Sequence, residues 1–208
     1  MKIIGITGGV GAGKSEVLSF LEEEYGALVI QADRVGHRLM EPGTEVYRAI
    51  LEKFGREVLQ EDGQVNRSTL GQIIFADAEK REALNAIVHP AVKGWIRREI
   101  SREEKAGKLR LLFIEAALLI EDHYEELCHE FWYIYAAPKV RRERLKASRG
   151  YTDEKITAIF DSQQPEEVFR AHCQVVIDNS GSKEETRAQI RTELKGRGWN
   201  LRKGEKGT

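Results

Sequence analysis

The chain is 208 residues long, 41% hydrophobic and 32% charged, with a formal net charge of −1. That length supports one substantial core with room for a small inserted subdomain, and the near-neutral balance gives no general pull toward nucleic acid or an anionic membrane. The longest apolar stretch, residues 116–120 with their flanks, is too short to span a bilayer, and the start of the chain is strand-like rather than a leader, so a cytoplasmic protein is expected.

The first predicted element is a strand, Lys2-Ile3-Ile4-Gly5-Ile6-Thr7, short and rich in β-branched residues. It runs into Gly8-Gly9-Val10-Gly11-Ala12-Gly13-Lys14-Ser15, which fits the phosphate-loop pattern G-x-x-x-x-G-K-[ST]. A helical pattern follows, with Val17, Leu18, Phe20, Leu21 and Tyr25 on one face. Glycines let successive N–H groups converge on one anion, and the helix start adds its positive dipole end. Lys14 is long enough to reach the β- and γ-phosphates, and the Ser15 hydroxyl suits Mg²⁺.

Further strand-like runs occupy residues 27–30, 110–114, 131–136 and 174–177. Five such runs, continuous rather than alternating in hydrophobicity and separated by helical stretches, predict an α/β fold: a five-stranded parallel sheet between two helical layers. The interval between the second and third strands is far longer than a crossover requires. Its helical patterns at 33–40, 44–54, 68–75 and 79–102 predict a substrate-binding insertion. Residues 138–160 read as a helical, Arg- and Lys-rich lid, and the basic tail beyond 196 as frayed. The expected layout is one domain over 1–208, with core segments 1–32, 108–137 and 173–196, an insertion at 33–107 and a lid at 138–172. Cys128 and Cys173 form no metal or redox spacing and read as ordinary thiols.

Candidate site residues flank the loop. Asp33 follows the second strand, where open parallel sheets bind ligands; it can orient an attacking hydroxyl or simply cap the next helix. Glu115 ends the third strand and can organise Mg²⁺ through water, with Glu121 an alternative. Arg141, Arg142, Arg144, Lys146 and Arg149 share one helical stretch. One or two of them are expected to act on phosphates, with Arg149 and Arg144 favoured, while the rest form a solvated face. His89 can touch substrate or mark a helix kink at Pro90. Asp178-Asn179-Ser180-Gly181 suits a turn beside a nucleotide base, although such turns are common after strands.

Taken together, the phosphate loop, Ala32-Asp33, Glu41-Pro42-Gly43, Phe54-Gly55, Ile87-Val88-His89-Pro90, Leu118-Leu119-Ile120-Glu121, Gln163-Gln164 and Val176-Ile177-Asp178-Asn179-Ser180-Gly181 resemble the dephospho-CoA kinase family, from Ile4 to about Gly181. The resemblance implies a P-loop kinase with a core, a helical acceptor-binding part and a lid. Such an enzyme moves the γ-phosphoryl of ATP, with Mg²⁺, to the ribose 3′-hydroxyl of dephospho-CoA. It implies Asp33, Lys14 and Arg149 as catalytic, and Gly11, Ala12, Gly13, Lys14, Ser15, Glu16, Arg144 and Asn179 as ATP-binding. It further implies Asp33, His89 and Leu118 at the acceptor, with Thr7 expected there too, while Ser15 and Glu115 remain the metal candidates on their positions at the loop and at the end of the third strand. The chain departs from the family pattern at Gln31, Glu16 and Ala117, and in the spacing of its lid arginines.

Other classes are weighed against this reading. A kinase with a different acceptor shares every loop feature. A GTPase switch is opposed by the lack of an Asn-Lys-x-Asp run after residues 178–181. A nucleic-acid module rests on the basic tail at 197–206 alone. The expected partner is therefore a small molecule, with no nucleic acid or membrane.

Overall fold

The computed structural model describes residues 1–199, so the basic tail lies mostly outside the described residues. In chain order the elements are β1 Lys2–Thr7, α1 Lys14–Tyr25, β2 Leu28–Gln31, α2 Ala32–Leu39, α3 Glu45–Phe54, α4 Arg67–Ala76 and α5 Ala78–Ala106. They continue with β3 Leu111–Glu115, β4 Glu130–Tyr135, α6 Pro138–Arg149, α7 Asp153–Asp161, α8 Glu166–His172, β5 Val175–Asp178 and α9 Lys183–Gly196. They fall into two compact units: Met1–Ile30 with the residues from Lys108 onward, and Gln31–Gly107.

The first unit carries the five-stranded sheet, in the order β2-β3-β1-β4-β5. β1 pairs in parallel with β3, Ile6 opposite Glu115, and with β4, Thr7 opposite Tyr133. β4 pairs in parallel with β5. Parallel strands need crossovers that cover both faces, so their side chains are buried on both sides; Leu111, Leu112, Phe113 and Ile114 are consecutive buried residues. The chain leaves β1 toward β2 on one flank and later passes from β3 to β4 on the other. This makes the carboxyl end of β1 a switch point, where such sheets open a crevice. Ile4, Ile6, Leu21, Phe113, Trp132, Ile134 and Leu194 fill the core, with Phe113 and Trp132 meeting edge to face at 5.7 Å. At the start of β4, away from the crevice, buried Glu130 accepts from Trp132 Nε1 at 3.0 Å and pairs with Arg197 at 2.6 Å and Lys2 at 3.4 Å. Its charge is thereby met on the spot.

Helix ends follow local chemistry. Gly26 ends α1 in the left-handed region, its N–H returning to Glu22 and Leu21 carbonyls. The stretch 138–160, read as one helical segment, is two helices. Gly150 (φ 61) closes α6 by donating to the Lys146 carbonyl, and the Thr152 side chain caps α7. A further helix, α8, stacks Phe169 on Tyr133 with centroids 4.9 Å apart.

The second unit is helical. Thr44, Asn66 and Asp77 each cap a helix with a side-chain oxygen. Val46, Ile50, Phe54, Val58, Val65, Leu70 and Leu84 form its own core. α2, α3 and α4 pack on α5, which runs 29 residues and passes through Pro90 without ending. Packing from three neighbours carries the helix past a residue that ends isolated ones. No described helix is long and apolar enough to cross a membrane.

Burial pushes the thiols of Cys128 and Cys173 up to about 12, so both stay protonated and unreactive near neutrality. A thiol reagent at pH 8 should label neither in the folded protein during the time in which it labels both in the unfolded chain. Native labelling should stay slow at pH 7 to 9, rising about tenfold per pH unit with the small thiolate fraction, and prompt native labelling would contradict the packing described.

Candidate active site

The loop after β1 is built so that its amides turn one way and its carbonyls another. Thr7, the last residue of β1, is buried. Gly8 passes so close to β4 that a Cβ would sit 2.4 Å from the Ile134 carbonyl oxygen, and Gly13, at φ 86, would drive one into Asn179. Neither position tolerates a side chain. α1 then begins at Lys14 with no side-chain cap on its N-terminus, unlike α3, α4, α5, α7 and α9, which all have one. Glu16 N–H turns back to Gly13 O at 3.1 Å, and the uncapped helix start suits an anion.

The outward carbonyls are each given a donor. Lys14 Nζ donates to Gly8 O at 2.8 Å and Ala12 N to Gly9 O at 3.1 Å. Arg141 Nε donates to Val10 O at 2.9 Å. Ala12 O accepts from Asn179 Nδ2 at 2.7 Å and from Arg144 Nη1 at 3.3 Å. Asn179 is buried, its other end accepting from Thr186 Oγ1 at 2.8 Å. Arg144 also donates to Asn179 O at 2.8 Å. Lys14 lies 3.6 Å from the Glu115 carboxylate, both side chains largely buried.

The α6 cations divide by partner. Arg142 and Lys146 share Asp153, at 2.8 and 2.7 Å, and hold its carboxyl below the usual range. Arg141 and Arg144 meet carbonyls and a glutamine, with no carboxylate partner among the described residues. Arg149, favoured from the sequence, ends α6 with its guanidinium 5.8 Å from the Tyr151 ring, and no bond ties it to the loop. Glu16 turns its side chain to α9, pairing with Lys183 at 2.8 Å and Arg187 at 3.9 Å, so only its backbone N–H serves the loop. Leu118 is an exposed apolar side chain in the turn after β3, and Glu121 is exposed in the same turn.

In the helical unit, Asp33 is exposed in the first turn of α2. The N-cap is Gln31, not Asp33, which removes the capping explanation for this carboxylate. No hydrogen bond or ion pair to another described residue holds it. His89 is half-buried on α5, next to the Pro90 that the helix absorbs.

A family model described as dephospho-CoA kinase matches residues 2–185. This chain belongs to the dephospho-CoA kinase family. A Carboxydothermus hydrogenoformans protein named dephospho-CoA kinase is 38% identical over 199 residues, which cover 96% of each chain. A solved structure from Thermus thermophilus aligns with a TM-score of 0.80 and 31% identity, over 94% of this chain and 97% of that one. A dephospho-CoA kinase structure from Campylobacter jejuni aligns at 0.69 and 23% identity, over 94% and 96% of the two chains, which is a likeness of fold.

Two residues at the family's phosphate loop acquire roles that sequence reasoning missed. Asn179, expected near a base, is a strut between the loop, β5 and α9. Arg141, one of five neighbouring cations in the sequence, reaches the loop at Val10 O, as Arg144 does at Ala12 O. The spacing of Arg141 and Arg144, three apart, groups them on one helix face, a signal that pairs them without saying which way that face turns.

Asn179→Ala removes one donor to Ala12 O and the acceptor at 2.8 Å of the Thr186 hydroxyl, which keeps Ser182 O at 3.2 Å. It should cost the ligand-free protein about 2 kcal/mol, read as a lower denaturant midpoint at unchanged m. A wild-type midpoint with weakened ATP binding would mean that Asn179 is a ligand contact and not a strut.

Proposed function

We propose that this chain transfers the γ-phosphoryl of ATP to the ribose 3′-hydroxyl of dephospho-CoA, giving ADP and CoA, the last step of coenzyme A synthesis. The observation that carries the reading is the uncapped start of α1 behind a glycine loop whose Gly8, Gly9, Val10 and Ala12 carbonyls are turned to donors, in a chain of this family. Amides from Gly11 to Glu16 take the β- and α-phosphates, those of Ala12 and Glu16 giving up their bonds to Gly9 O and Gly13 O, and Lys14 exchanges its bond to Gly8 O for phosphate oxygens. Arg144 adds positive charge that no carboxylate cancels. Asn179 acts on ATP through the loop. Arg149, His89 and Leu118 are assigned to lid and acceptor contacts on the family resemblance, and Thr7 is assigned to the acceptor with them.

Asp33 accepts the hydrogen bond of the 3′-hydroxyl and takes its proton as the new P–O bond forms and the bond to the ADP oxygen breaks. An exposed, uncommitted carboxylate directly after a sheet strand supports this role. Phosphoryl transfer depends chiefly on alignment and charge stabilisation, so Asp33 contributes mainly by holding the attacking oxygen in line. Closure of the lid excludes water, the competing acceptor.

No three His, Cys, Asp or Glu side chains cluster as a metal group among the described residues. One hydroxyl, Ser15, and one nearby carboxylate, Glu115, suit Mg²⁺, which keeps waters and takes phosphate oxygens. Ser15 is assigned as its direct protein ligand, and Glu115 acts through water and through Lys14. When bound, Mg²⁺ supplies neutralisation of charge on the β- and γ-phosphoryl oxygens. The proposed setting is the cytoplasm, with small-molecule substrates and no nucleic-acid partner.

Purified protein with Mg·ATP should convert dephospho-CoA to CoA with matching ADP, well above adenosine, AMP or shikimate run in parallel. Asp33→Asn should lower kcat by about 10³-fold with ATP affinity nearly unchanged. Phosphorylation of another acceptor in preference would overturn the substrate, and wild-type turnover of the variant would remove Asp33 from the mechanism.

A further inference from the structure

Arg141, like Arg144 and unlike Arg142 and Lys146, is an α6 cation turned to the loop rather than to a carboxylate. Its guanidinium is half-buried, and burial pushes it below its ordinary pKa. Yet no carboxylate among the described residues pairs with it, whereas Arg142 one residue on is tied to Asp153 and Thr157. A desolvated cation without a counter-ion is costly, and the fold holds this one in place from three sides. Nε donates to Val10 O at 2.9 Å. Nη2 donates to Gln163 Oε1. The guanidinium plane lies 4.1 Å from the centroid of Phe160.

The two side-chain holders share one turn. Gln163 N–H donates to Phe160 O at 3.1 Å, in the connection from α7 to α8. The loop makes room in return: a Cβ on Gly9 would lie 2.4 Å from the Arg141 guanidinium carbon. A side chain at position 9 would therefore displace the guanidinium from its present place. The Nη1 hydrogens have no acceptor among the described residues, which leaves one edge of the fork uncommitted beside the loop.

We infer that Arg141 is an additional phosphate-facing cation of this loop, and that Gln163 and Phe160 are the positioning residues that hold it there. The turn between α7 and α8 then sets nucleotide affinity through a guanidinium, without itself touching the nucleotide. A neutral acceptor is what this task requires. Gln163 fixes the fork and leaves its charge for the ligand, whereas a carboxylate at the same place would consume it. The inference rests on the reading that the loop binds the phosphates of ATP.

The test measures Mg·ATP affinity by calorimetry, with the thermal midpoint of each ligand-free variant as a control. Arg141→Ala should weaken binding at least tenfold, and Gln163→Ala by about fivefold, the equivalent of one lost hydrogen bond. In the Arg141→Ala background, Gln163→Ala should add nothing. Gln163→Glu is the second arm. It retains the acceptor oxygens and gives Arg141 an ion-pair partner, so a merely structural glutamine would tolerate it. On the present account it weakens ATP binding more than Gln163→Ala does, while leaving the thermal midpoint at or above wild type. Additive effects of the two alanine substitutions, or wild-type affinity in Gln163→Glu, would overturn this inference alone. Absence of Mg·ATP binding by the wild-type protein would overturn the phosphate-loop reading as well.

Discussion

A backbone that aims several amides at one anion must aim its carbonyls elsewhere, and those carbonyls need donors. This constraint organises the structure around residues 8–13. Regular secondary structure cannot supply all the donors, because the loop belongs to neither strand nor helix. Backbone N–H groups of Ala12 and Glu16 meet Gly9 O and Gly13 O, and the other donors are side chains: Lys14 on α1, Arg141 and Arg144 on α6, and Asn179 just past β5. Each such bond is worth on the order of 1 kcal/mol net, and each unmet carbonyl would cost more than that. The side-chain donors are chiefly cationic, so the requirement for backbone satisfaction also concentrates positive charge at the loop.

The sheet makes this arrangement possible. β1 lies at its centre, flanked by β3 and β4, and delivers the loop to the point where strand order reverses. Glu115 ends the neighbouring strand beside Lys14. α6 begins directly after β4, with Pro138 at its first position, so its first turns lie against the loop that leaves β1. Glu130 and its three donors lock the amino end of β4.

Much of this was legible in the sequence, and the remainder was hidden for identifiable reasons. All five strands were visible because parallel strands buried on both faces are unbroken apolar runs, and the loop was visible because its chemistry fixes residue types at fixed spacing. Strand limits shifted by a residue or so, since β2 and β5 end on Gln31 and Asp178, whose pairing owes nothing to hydrophobicity. Gly150 and Thr152 did mark the break between α6 and α7, yet the helical period on either side concealed it. Whether Arg141, Arg144 or Arg149 meets the loop depends on the rotation of α6 relative to β1, which no local pattern records. Arg141 is held by Val10 and Gln163, partners 131 and 22 residues away. The capping alternative for Asp33 was decided by backbone geometry that begins α2 at Ala32, two residues earlier than a cap at Asp33 would allow.

The most direct test of the central claim is calorimetric titration of Mg·ATP into wild-type protein and Lys14→Ala, without acceptor. If the amides of α1 and the cations held on the outward carbonyls form one phosphate site, the wild type binds a single equivalent. The variant, having lost both a phosphate contact and the donor to Gly8 O, should bind at least tenfold more weakly. Equal affinities for the two proteins would mean that the nucleotide phosphates lie elsewhere, and would contradict the account.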